Sequence, residues 1–202
     1  MGCRELTVAC LACLVAISFL VHAQQITVIA GGTVGGGHSF GFSSDRNYSF
    51  GAVQFAFPIA HPAGGTFFYR FDAIPVSYLR EPRLVAFDSR RLSPDNHFIY
   101  GGGANPLAFE YDTPRFHRTH PFADYTGGFL YFSRRVFSPL ASQFNFTTSL
   151  GGGFLFQPPH APPLRLGYRY THISNANIAT RNPGGDFQLL YLGVAVHAPT
   201  RK

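Results

Sequence analysis

The stretch YRYTHISNANIATRNPGGD, residues 168–186, holds an imidazole, a hydroxyl and a carboxylate, the groups that nucleophilic ester chemistry uses. Read as a strand, 164–174 puts Leu164, Leu166, Tyr168, Tyr170, His172 and Ser174 on one face and Arg165, Gly167, Arg169, Thr171 and Ile173 on the other. His172 and Ser174 are then neighbours on one face, roughly 6.5–7 Å apart along the strand, a span that an imidazole can bridge. Asn182-Pro183-Gly184-Gly185 supplies turn chemistry, so that Asp186 opens a following antiparallel strand within reach of His172. Taken singly, the three residues have bland readings as an interfacial histidine, a strand-end serine and a loop-end acid. Their coincidence in one motif is what points to a site.

The elements that must position this group are strands. With 22 Phe, 10 Tyr, 22 Gly and only 13% charged residues, the composition is that of an all-β protein. Alternating segments recur at approximately 25–35, 48–59, 66–79, 104–113, 121–132, 144–157, 164–174 and 185–197, which predicts an eight-stranded antiparallel up-and-down β-barrel. The connections at 61–65, 114–120 and 158–163 are compact and rich in Pro or Gly, whereas those at 36–47, 80–103 and 133–143 are longer and more charged. Short turns at one end and long loops at the other indicate a transmembrane barrel of the outer-membrane kind. The segment 144–156 agrees, with Phe144, Phe146, Leu150, Phe154 and Phe156 on one face and Asn145, Thr147 and Ser149 on the other. The absence of Trp and of a terminal aromatic residue runs against this reading. Because arginine is costly against acyl chains, the His172 and Ser174 face is the outward one. Counting strands from a periplasmic N-terminus places the pair near the outer leaflet. A polar pair exposed to lipid is expensive unless it works on lipid.

Residues 1–23, with Arg4, an uncharged run from Leu6 and the end Val21-His22-Ala23, read as a cleaved signal peptide ahead of a single barrel domain, 24–202. A membrane anchor and lipoprotein processing at Cys10 or Cys13 are the competing readings. Cys3, Cys10 and Cys13 all lie in the leader, so the mature chain holds no thiol or disulfide. The net charge of +6 makes nucleic acid an unlikely partner after export and lipopolysaccharide or anionic lipid a natural one. A basic surface that serves only solubility is the plainer alternative.

Tyr168-Arg169-Tyr170-Thr171-His172-Ile173-Ser174-Asn175-Ala176, followed by Asn182-Pro183-Gly184, resembles the signature of the lipid A 3-O-deacylases, the PagL-like acyloxyacyl hydrolases. Pro121-Phe122, Gly127-Gly128 and Asn145-Phe146 extend the resemblance along the mature chain. It implies an eight-stranded outer-membrane barrel that removes the acyl chain ester-linked at position 3 of lipid A, without a cofactor or metal. It also implies roles: Ser174 as nucleophile, His172 as general base, Asp186 as the acid that orients the imidazole, and Asn175 as an oxyanion donor. The family's acid is typically glutamate, and restoring it by Asp186→Glu is expected to keep activity. A non-catalytic barrel with a structural or adhesion role shares the fold and remains the alternative. Whether the barrel forms a homodimer, and which residues bind substrate, stay open.

Other signals weigh less. Gly31-Gly32-Thr33-Val34-Gly35-Gly36-Gly37 lacks the Lys-Ser/Thr of a phosphate loop and reads as barrel wall, and Tyr100-Gly101-Gly102-Gly103 reads as flexible strand entry. His117-x-x-His120 falls in a predicted turn with no nearby carboxylate pair, which argues against zinc. Arg80, Arg83, Arg90, Arg91, Arg134 and Arg135 are either phosphate ligands or solvated loop charges.

Overall fold

The computed structural model describes residues 23–41, 45–84 and 92–197, with the backbone alone at 83–84 and 92–97. Eight antiparallel strands, β1 (Gln25–Gly36), β2 (Asn47–Ala60), β3 (Thr66–Leu84), β4 (Leu92–Asp112), β5 (Thr119–Phe132), β6 (Phe144–Phe156), β7 (Leu164–Ser174) and β8 (Gly185–His197), pair in chain order. The sheet closes where β1 meets β8, from Ile26 opposite His197 to Gly36 opposite Phe187, so neither edge is left unpaired. Residues 1–22 of the expected leader, Arg90, Arg91 and the last five residues lie outside the described residues.

Six of the eight strands lie within two residues of their expected bounds; β3 and β4 do not. The loop expected at 80–103 is largely a hairpin: Arg80 pairs with Phe98, Glu81 with His97 and Leu84 with Leu92. Gly101–Gly103, expected as strand entry, lie well inside β4. Beyond an apolar slab a hairpin no longer needs an apolar outer face, so its ladder continues while the sequence alternation stops. Pro75 and Pro106 disrupt the pattern further, because each lacks an N–H for the ladder and falls within a register shift, Ile74/Ser77 and Ala104/Leu107.

The two faces of the wall are chemically distinct. Outward side chains are apolar and aromatic, as on β6, where Phe146, Leu150 and Phe154 are exposed while Asn145, Thr147 and Ser149 are buried inside. Phe129, Phe144 and Phe146 cluster near the long-loop end, and Phe67, Tyr69 and Phe109 near the short-turn end, two belts of the kind that flank a bilayer core.

The lumen is filled. Arg70 bonds Asp72 at 2.9 Å, Asp124 at 3.0 Å and also Glu110; Arg165 reaches Glu110 at 2.7 Å, and Arg169 reaches Asp124 at 2.6 Å. Arg165 lies over the Phe122 ring and Arg169 over Tyr191. Three guanidinium groups thus face three carboxylates with nearly all their surface removed from solvent. A buried network of this kind is most costly when one partner is lost. Arg70→Met is expected to destabilise the barrel by about 3–5 kcal/mol, read as a lower temperature for conversion of the heat-modifiable gel band. An unchanged midpoint would show that the cluster carries little of the stability.

Candidate active site

The long-loop ends of β7 and β8 meet the loop that follows β1. His172 and Asp186 are direct cross-strand partners. His172 Nδ1 lies 2.6 Å from Asp186 Oδ1. An ionised carboxylate can only accept, so Nδ1 carries the proton and Nε2 is left as the acceptor of the neutral ring. The second carboxylate oxygen is also fully engaged. Asp186 Oδ2 accepts from Phe40 N–H at 2.7 Å, Gly41 N–H at 2.9 Å and the Tyr170 hydroxyl at 2.7 Å. Four donors on one carboxylate favour its charged form and fix its orientation.

Asp186 faces outward yet is wholly covered, and the cover is the loop 37–41. Gly37 N–H bonds the Asp186 carbonyl at 3.0 Å, and Ser39 N–H bonds the Tyr170 hydroxyl at 3.2 Å. Gly41 has to be glycine for this approach, since a Cβ there would stand 2.8 Å from the backbone of Gly184 and Gly185. Phe40, 76% exposed, sets its ring edge-on to the His172 imidazole at 5.7 Å. A charge on the outer wall is therefore tolerated because backbone amides replace its hydration.

Ser174 ends β7, two residues from His172 on the same face. A Cβ built on Gly184, whose φ is +62°, would lie 2.9 Å from His172 Cε1 and 3.5 Å from Ser174 Cβ. Both side chains therefore border the space that this left-handed glycine leaves open. Among the described residues Ser174 Oγ has no hydrogen-bond partner, and the serine–imidazole contact is not made. Such contacts commonly tighten only around substrate.

Asn175 is buried and braces the 175–184 loop. Its Nδ2 donates to the Arg181 carbonyl at 2.7 Å, its Oδ1 accepts from Asn177 N–H at 3.0 Å, and its own N–H bonds Asn182 Oδ1 at 2.9 Å. Behind β8, Phe137 from the β5–β6 loop packs on Phe187, and its N–H is held by Glu81 at 3.0 Å. Glu110 and Asp124, carboxylates on β4 and β5, are committed to the arginines of the lumen and do not serve His172. Arg80, Arg134 and Arg135 are exposed, with Arg135 on the Pro139 carbonyl at 2.9 Å. His117 leans on Phe116, while His120 is buried beside the Thr113 carbonyl.

Compared with known proteins, residues 84–195 match the lipid A 3-O-deacylase (PagL) family, more than half of the chain. This protein belongs to that family. The matched residues include His172, Ser174, Asn175 and Asp186, whereas Phe40 and Gly41 lie outside them. Among solved structures, the chain resembles the outer membrane enzyme PagL at 17% identity and a TM-score of 0.58, covering 84% of this chain and 98% of that one. Neisserial surface protein A (NspA) is similar at 14% identity and a TM-score of 0.48, with 85% and 97% covered. No curated protein matches the sequence. The family places the chain among outer-membrane β-barrels that act as lipid A deacylases.

Sequence reasoning missed Tyr170, Phe40 and Gly41 as site residues. Tyr170 had a signal, since it shares the outward face with His172. The loop did not: Gly37 looked like the tail of the glycine-rich wall formed by Gly31–Gly36, and its role depends on where the chain turns after β1.

Proposed function

We propose that this protein is an outer-membrane lipid A 3-O-deacylase, made with a leader at residues 1–23 that is removed on export, and that its site faces the outer leaflet. The observation that carries this reading is the His172–Asp186 pair on the outer wall, beside Ser174, in a chain of the deacylase family. Ser174 Oγ attacks the carbonyl of the acyl chain esterified at position 3, and His172 Nε2 takes its proton. The oxyanion of the tetrahedral intermediate collapses, and the sugar hydroxyl leaves with the proton returned by His172. Water then repeats the sequence on the acyl-serine and releases a 3-hydroxy fatty acid. Asp186 holds the ring and balances the imidazolium, and Asn175 offers its second Nδ2 hydrogen to the oxyanion while the first holds Arg181.

Lipopolysaccharide incubated with the purified barrel in detergent is expected to lose one 3-hydroxyacyl chain, read by mass spectrometry of lipid A. Intact lipid A after incubation with a barrel that shows the heat-modifiable shift would leave a structural or adhesion role as the better reading.

A further inference from the structure

A second polar pair stands on the outer wall beside the site. Thr148 of β6 is the direct cross-strand partner of His172, and on its other side it pairs with Gly127 of β5. Tyr125 lies two residues from Gly127 on the same face of β5, 44% exposed. Thr148 Oγ1 donates to the Tyr125 hydroxyl at 3.4 Å. A Cβ on Gly127 would approach that hydroxyl to 3.3 Å, so the glycine gives the phenol room to lean towards Thr148. The surroundings are apolar: Phe146 and Leu150 flank Thr148 along its strand, with Leu150 68% exposed.

Neither hydroxyl hydrogen-bonds His172, Ser174 or Asp186. Their mutual bond is long, and with Thr148 donating, the phenol proton has no acceptor among the described residues. Two hydroxyls turned to lipid with unused hydrogen-bonding capacity carry the same cost that marked His172 and Ser174.

We propose that Thr148 and Tyr125 bind the hydroxyl on the β-carbon of the acyl chain and so select 3-hydroxyacyl over unsubstituted esters. This rests on the deacylase reading of the same site. With the ester carbonyl on Ser174, the chain leaves along the outer wall. Thr148 stands beside His172 and diagonally across from Ser174, roughly 7–8 Å away between Cα atoms in such a pair. The carbonyl and the β-hydroxyl are two carbons apart, so the hydroxyl passes this position first. It accepts the Tyr125 proton and donates to Thr148 Oγ1. An unsubstituted chain leaves the Tyr125 proton and the Thr148 oxygen's acceptor capacity unused against hydrocarbon, which disfavours it.

The test uses two phosphorylated glucosamine substrates acylated at O-3 with chains of equal length, one 3-hydroxylated and one plain, in the same detergent. The wild-type barrel is expected to favour the hydroxylated ester by roughly 10- to 100-fold in kcat/KM. In Thr148→Val and in Tyr125→Phe that ratio is expected to fall towards one. Equal rates on both esters for the wild type, or a ratio that both variants keep while their rates drop together, would overturn this assignment and leave the deacylase reading standing. Hydrolysis of neither ester by the folded wild type would overturn the deacylase reading and the assignment with it.

Discussion

Turnover of lipopolysaccharide is expected to fall by about 10⁴-fold or more when Ser174 is replaced by alanine, and by a similar factor for His172→Ala. The two losses should not add, because each residue is useless without the other. The barrel itself should be unharmed. Ser174 is only partly buried at the end of β7, and its hydroxyl satisfies no other group among the described residues, so the exchange strands no buried donor or acceptor. The heat-modifiable gel shift of Ser174→Ala should match that of the wild type while release of the 3-hydroxy fatty acid stops. Equal release by the two proteins would remove Ser174 from the chemistry, and the outward position of His172 would then need another explanation. The comparison is sharpened by the lumen: its arginine and carboxylate cluster governs stability from the opposite face of the wall, so stability and turnover can be perturbed independently.

The alternation of residues and the contrast between turns and loops made the barrel legible, because both follow from a wall with lipid on one side and packed polar groups on the other. Arg165 and Arg169 alone oriented β7, and both do point inward. What stayed hidden were features that depend on partners distant in sequence. The hairpin continuing β3 and β4 past the wall is held by backbone pairing between residues such as Glu81 and His97, which no side-chain pattern announces. The spacing of His172, Ser174 and Asp186 was enough to bring these three to one end of the wall, since strand-loop-strand geometry fixes that much. The cradle around the acid came from residues 37–41, nearly 150 positions away in the chain, as the Phe40–Asp186 bond illustrates. Asn175 was legible as a neighbour of Ser174 but not as a brace, because its three loop bonds exist only once the 175–184 turn has formed.

The last expectation concerns Asp186, where this chain carries aspartate in place of the family's usual glutamate. Three donors converge on Oδ2, so in Asp186→Asn the carbonyl oxygen stays there and the NH₂ group faces His172. An amide N–H in that place requires Nδ1 to accept, which moves the ring proton to Nε2 and leaves the imidazole unable to take the proton of Ser174. A loss of about 10⁴-fold is expected, as the same exchange gives in a serine-protease triad. Glutamate was expected from the family pattern to be harmless, and the cradle argues otherwise. One more methylene drives the carboxylate into the amides of Phe40 and Gly41, where a glycine already sits against Gly184 and Gly185. Either the loop yields and its hydrogen bonds are lost, or the side chain turns from His172. Asp186→Glu is therefore expected to run roughly 10- to 100-fold slower than the wild type, the worth of one or two bonds to a charged group. Turnover of the two variants on one lipid substrate, in one detergent, decides the matter. Full activity with asparagine would mean that Ser174 and His172 work as a dyad, and full activity with glutamate would mean that the 37–41 loop adapts to the acid rather than holding it.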